Sequence, residues 1–161
     1  MGSLVTLLGV SLFVVVLDQF TKYEVLHSLK LNEPVAVLPG YLYLTYIQNP
    51  GTAFGFMSNM QAAVRIPFFV TVTIVAGFIV YTYQRMMPPE RWFSRIALGL
   101  IWGGALGNFV DRLLYGKVID FIEVRHLRFP WIFNVADSCI TIGITLLLLE
   151  HFFRKSGSEP V

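Results

Sequence analysis

The sequence predicts an all-α membrane protein: four transmembrane helices, with a small extracytoplasmic β-structure between the first two. Three observations lead there. Charged residues make up 14% of the 161 positions, against about 25% in a soluble domain. The mean hydropathy is +0.65. The charges also leave long gaps: 4–17, 66–84 and 96–110 hold no Asp, Glu, Lys or Arg, and 129–149 holds only Asp137. Crossing a bilayer as a helix takes about 20 mostly apolar residues. A disordered chain is poor in aromatics, which 14 Phe, 7 Tyr and 3 Trp exclude here.

The first span reaches full length by running through Asp18 to Val25, so a helix is expected over 4–25. No basic segment precedes it and no small-residue cleavage site follows, so it reads as a retained span and not a cleaved signal peptide. Next, 35–47 is rich in Val, Leu, Tyr and Thr and bends at Pro39-Gly40. That pattern predicts two short strands at the membrane surface, inside a β-region near 31–60. The second helix is expected over 65–84, ending before Met86-Met87-Pro88-Pro89-Glu90, where proline breaks the helix. The third runs over 95–114, reaching through Asp111. The 117–130 connection alternates Val118, Asp120, Ile122 and Val124 and is expected to be partly extended. The fourth helix is expected over 133–153. One membrane domain then accounts for 1–161.

The net charge of +2 is too small to suggest nucleic acid as a partner. A single cysteine, Cys139, allows no internal disulfide and fits no zinc pattern. An even number of spans puts both termini on one side, together with Arg85, Arg91, Arg95, Arg154 and Lys155. Lys22, Lys30, Arg65, Arg112, Lys117, Arg125 and Arg128 fall on the other side. A raw count does not favour the first side, but the dense basic loop at 84–95 does. The termini are therefore expected in the cytoplasm.

Alternating traverse carries the polar residues to one end. Asp18 is late in the first helix, Asn108 and Asp111 late in the third, and Asn134 and Asp137 early in the fourth. Asn49 and Asp120 lie in the connections on that same side. Intramembrane acids are costly, face a bundle interior or a wet cavity, and are functional candidates by default. Asn108 and Asp111 are i,i+3 and share a helix face, as do Asn134 and Asp137. Gly103 and Gly107 form a G-x-x-x-G pair that lets another backbone approach. The pair serves internal packing as well as dimerisation, and a monomer is expected.

Two carboxylates a few ångströms apart do not both ionise easily. One keeps its proton while the other activates water, which suffices to hydrolyse an amide without metal or covalent intermediate. No H-E-x-x-H or G-x-S-x-G is present. A Cys139–His126 thiol pair is disfavoured, because Cys139 lies in an apolar helical stretch that reads as core.

The chain resembles lipoprotein signal peptidase, or signal peptidase II, of bacterial inner membranes. The matching blocks are Asp18-Gln19-Phe20-Thr21-Lys22, 48–55 beginning Gln48-Asn49-Pro50-Gly51, 103–112 ending Asn108-Phe109-Val110-Asp111-Arg112, Val118-Ile119-Asp120-Phe121-Ile122, and Phe133-Asn134-Val135-Ala136-Asp137-Ser138. They keep the family's order across nearly the whole chain. The resemblance implies an aspartyl endopeptidase without cofactor or metal. It implies a diacylglyceryl-modified prolipoprotein as substrate, cut just before the lipidated cysteine, with membrane lipid as surroundings and a globomycin-type inhibitor occupying the site. It maps the catalytic dyad to Asp120 and Asp137. Substrate-binding or dyad-supporting residues map to Asn49, Gly51, Asn108, Asp111, Arg112 and Asn134. The active site would face the periplasm of the inner membrane.

Plainer readings stand beside these. Asp111 and Arg112 could be an ion pair neutralising a helix end. Asp18 and Lys22, i,i+4, read as a surface pair. Asn108 and Asn134 could only bridge helices, and Asn49-Pro50-Gly51 reads locally as a turn. Tyr41, Tyr43, Tyr46, Phe54 and Phe56 suit an interfacial belt or a flap over the substrate's lipid. A different class, a small four-helix proton-coupled multidrug transporter, would use an intramembrane acid to exchange protons. It is disfavoured because the acids gather at one face and the first connection is long. A non-catalytic scaffold would not need this polar cluster.

Overall fold

The structure, a computed structural model, describes residues 2–51, 57, 59–88, 90–125 and 130–156. Phe54, Phe56, His126 and Arg128 lie outside the described residues. Four helices and four strands follow in order: α1 (Gly2–Ser28), β1 (Pro34–Leu38), β2 (Leu42–Asn49), α2 (Ala62–Met86), α3 (Trp92–Tyr115), β3 (Val118–Val124), β4 (Trp131–Phe133) and α4 (Val135–Ser156). All four helices are long and apolar enough to cross a membrane. Their outer faces carry exposed Leu12, Phe13, Ile74, Phe78 and Leu148. In water each such side chain would forgo about 1.5–3 kcal/mol of burial; against lipid it forgoes nothing.

Helix α3 is the centre of the bundle. Half of its apolar stretch is buried inside the protein, against 11–22% for the other three helices. Glycines make this possible. A Cβ on Gly103 would meet the Ser11 carbonyl oxygen and Val14 Cβ, each at 2.7 Å. On Gly107 it would lie 2.5 Å from Asp18 Oδ2. Gly104 faces the other way, onto the Ala136 carbonyl of α4. The G-x-x-x-G pair therefore seats α1 against α3 within one chain. Where α3 ends, Gly116 adopts φ +66° and donates its N–H to the Arg112 carbonyl, a left-handed cap that turns the chain into β3.

The strands form one antiparallel sheet in the order β1-β2-β3-β4. The expected hairpin at Pro39-Gly40 is present, with Gly40 at φ +86° and the Tyr41 N–H bonded to Leu38 O. The sheet draws on both connections, β3 and β4 coming from the segment after α3. Because β4 occupies 131–133, α4 starts at Val135, two residues later than the expected start at 133. Tyr46, Ile119 and Phe121 pack with Val25 of α1, fixing the sheet on the helix ends.

One irregularity sets the register. Leu44 pairs with Ile122, but Ile47 pairs with Asp120, so Thr45 and Tyr46 together oppose Phe121. This is a β-bulge, which adds one residue to one strand. Side chains alternate with period two, so one added residue exchanges the faces of everything beyond it. Without it Gln48 would share the face of Asp120; with it, Asn49 does.

Candidate active site

Each polar side chain is carried to the site by a local feature. At the end of α1, Lys22 is 2% exposed and Asp18 is fully buried. Lys22 Nζ lies 2.8 Å from Asp18 Oδ2 and 2.8 Å from Asp111 Oδ2 on α3. The expectation of a surface pair is corrected here: the glycine face of α3 covers Asp18 and Lys22 and adds a second carboxylate. Gln19 joins the cluster, its Nε2 donating to Asp111 Oδ1 at 2.9 Å. The Ile119 N–H of β3 donates to Asp111 Oδ2. Unpaired buried ions are costly, and here the lysine has acceptors for all of its N–H groups.

The Asp111–Arg112 ion-pair reading is also corrected. Asp111 pairs with Lys22, because adjacent residues on a helix point about 100° apart. Arg112 donates instead to the Asn108 and Gly51 carbonyls, at 3.2 and 3.3 Å, and stacks 4.1 Å over the Phe69 ring.

Two asparagines connect this cluster to the dyad candidates. Asn108 Oδ1 accepts from Lys22 Nζ at 3.1 Å and from Asn134 Nδ2 at 3.0 Å. Asn108 Nδ2 donates to Asp137 Oδ1 at 2.7 Å. Asn134 is the residue before α4, and its Nδ2 also reaches Asp120 Oδ1 at 2.7 Å. From β2, Asn49 Nδ2 donates to Asp120 Oδ2 at 2.9 Å, while its Oδ1 accepts the Gly51 N–H in an Asx turn. Both oxygens of Asp120 thus face asparagine amides, and Asn108 and Asn134 link Asp120 to Asp137 through side chains alone.

A cleft of about 580 Å³ opens on this network. Asp120 and Asp137 line it with Asn49, Gly51, Asn108 and Arg112. The remainder is largely apolar, including Val118, Ile132, Phe133 and Ile140. Asp111 and Asn134, both site candidates, are buried behind the wall. Asp120 is 2% exposed and Asp137 is half-buried. Burial, with the Asp137 charge adding, pushes the Asp120 carboxyl up to about 6, against the opposing pull of the Asn49 and Asn134 hydrogen bonds and of Lys22. A proton on Asp120 is then available at mildly acid pH, a property of acid–base pairs that work on amides. Among the described residues no group of three or more His, Cys, Asp or Glu is placed to hold a metal. Cys139 is a free thiol on α4.

The sequence reading did not place Lys22 and Asp18 in the site's support. From the i,i+3 spacing of Asn134 and Asp137 it drew only a shared face, although Asn-x-x-Asp before an apolar run is the spacing of a capping box. The aromatics divide: Tyr46 is buried, Tyr43 stacks under Arg125, and Tyr41 is exposed.

Known proteins match this chain over most of its length. The family model for signal peptidase (SPase) II matches residues 10–153. The lipoprotein signal peptidase of Shouchella clausii is 44% identical over 150 residues, covering 93% of this chain and 95% of its own. That of Syntrophotalea carbinolica is 40% identical over 147 residues, covering 91% and 90%. A solved bacterial membrane enzyme, determined by the in meso method at 2.3 Å resolution, superposes with a TM-score of 0.86 at 34% identity, over 97% of this chain and 93% of that one. With most of the bundle and the whole polar cluster inside the matched region, this multi-pass membrane protein belongs to the signal peptidase II family of aspartic endopeptidases.

Proposed function

We propose that this chain removes the signal peptide from diacylglyceryl-modified prolipoproteins, cutting just before the lipidated cysteine, by water activation on Asp120 and Asp137. Family membership carries the prolipoprotein substrate. The observation that supports the dyad is the shared amide bridge: Asp120 and Asp137 line one cleft and are tied through Asn134 and Asn108.

The chemistry follows from two carboxyls sharing one proton. The ionised member takes a proton from a water held between them. The hydroxide so formed adds to the scissile carbonyl carbon. The protonated member passes its proton toward the carbonyl oxygen, and the proton gained from water goes to the leaving amine as the C–N bond breaks. The two acids titrate as a pair, so the base and acid are one coupled unit. Arg112 and the 49–51 turn flank the path of the peptide, and the apolar wall suits lipid-bearing substrate. A globomycin-type inhibitor would fill the same cleft. The dense basic loop at 84–95 supports cytoplasmic termini and a site facing the periplasm of the inner membrane.

Incubating the purified protein in detergent with a diacylglyceryl-modified prolipoprotein tests this. The expected product begins at the lipidated cysteine, shortened on a gel and by mass, and an inhibitor of the globomycin type prevents it. Intact precursor after prolonged incubation, or a cut elsewhere, contradicts the proposal.

A further inference from the structure

We infer that Lys22 is a positioning residue for the peptidase site, holding the Asn108 amide so that its N–H end faces Asp137. The inference rests on the Asp120–Asp137 reading above and extends it to a residue outside the cleft.

A lysine ammonium has three donors. Two go to Asp18 Oδ2 and Asp111 Oδ2, both at 2.8 Å. The third goes to Asn108 Oδ1 at 3.1 Å. Bridging the two acids would need only the first two.

The third bond decides which way the Asn108 amide points. Its oxygen faces two donors, Lys22 Nζ and Asn134 Nδ2. Its nitrogen faces the Asp137 carboxyl at 2.7 Å. Turning the amide over would set N–H groups against an ammonium and against a second amide N–H, and oxygen against a carboxyl. Lys22 supplies the charge-assisted member of that set, the stronger kind of hydrogen bond. A cation on the carbonyl end also polarises the amide and strengthens the bond donated at the other end. Lys22 is 2% exposed and absent from the cleft wall, so it acts through Asn108 and not on substrate.

The test uses the full-length protein and a lipidated prolipoprotein peptide. Lys22→Met alone leaves Asp18 and Asp111 facing one another without a cation, so it is paired with Asp111→Asn. The asparagine removes that repulsion and can still accept from the Ile119 N–H. Relative to Asp111→Asn, the double variant should lose about 10- to 100-fold in kcat, less than the roughly 10²–10³-fold cost of deleting a direct donor, with KM within about threefold. In an Asn108→Ala background the same Lys22→Met change should cost less than about threefold, because the element it acts through is gone. Melting curves verify that both backgrounds are folded. A double variant as fast as Asp111→Asn, or equal losses in both backgrounds, overturns the inference. Asp120→Asn run in parallel separates the two readings. If it is inactive while the double variant is fast, only the role of Lys22 falls. If it turns over normally, the dyad itself is wrong.

Discussion

Asn134 and Asp137 cap each other at the start of α4. The Asn134 side-chain oxygen accepts the Asp137 N–H at 2.9 Å, and the Asp137 carboxyl accepts the Asn134 N–H at 3.4 Å. One residue thereby serves two purposes: its oxygen caps the start of the helix and its amide nitrogen reaches Asp120. The purposes separate by substitution. Asn134→Ser keeps a cap oxygen, so its melting point should stay near wild type, but one hydroxyl cannot bond both Asp120 and Asn108. Its kcat should fall by about 10²-fold, the range for a lost site hydrogen bond. Asn134→Ala should lose both, with about 1 kcal/mol of additional cap destabilisation. Equal activity in the serine variant and wild type would contradict the assignment.

The α1–α3 seam sets how close the Asp18–Lys22 pair comes to Asp111. A methyl group at Gly107 would press on Asp18 Oδ2 from 2.5 Å and on Asp18 Cγ from 3.1 Å. Gly107→Ala should therefore destabilise by about 1–3 kcal/mol, the usual cost of overpacking, and lower activity with it. Gly9 has open space around its Cβ direction, so Gly9→Ala should melt like wild type. Thermal unfolding in detergent compares the two, and equal melting points would refute the close seam.

The raised carboxyl of Asp120 has a definite sign in stability. Its acid form persists to about pH 6 when folded, against 3.8 for the unperturbed group. The folded state therefore holds the proton more tightly. Its contribution is fully present below pH 3.8 and lost as pH rises through about 6, amounting to at most about 3 kcal/mol. Asp120→Asn does not titrate. Its melting point relative to wild type should rise between pH 5 and pH 8, and a constant difference would count against the shift. Asn49→Ala removes a bond that favours the ionised form. Its alkaline activity limb should move to higher pH.

How much of this was legible in sequence depends on what each feature needs. The spans were, because 66–84 and 129–149 carry almost no charge and the bilayer demands little else of a helix. The convergence of Asn108, Asp111, Asn134 and Asp137 on one end followed from alternating traverse. Lys22 was not legible. An i,i+4 Asp–Lys pair looks the same on a wet helix and a buried one, and only the docking of Gly107 on Asp18 decides between them. Nor was Asn49's orientation, which depends on an added residue at Thr45-Tyr46 that alternation alone does not disclose. β4 was hidden by its apolar composition, since Trp131-Ile132-Phe133 reads equally well as the start of a span.

Single-turnover cleavage of a lipidated prolipoprotein by Asp120→Asn, Asp137→Asn and the double variant measures the dyad most directly. Two groups that act as one unit are non-additive. Each single variant should lose about 10²–10⁴-fold, the span of acid–base assistance, and the double variant should be no more than a few-fold slower than either. Near-normal cleavage by one single variant, or losses that multiply in the double, would contradict joint activation of water by Asp120 and Asp137.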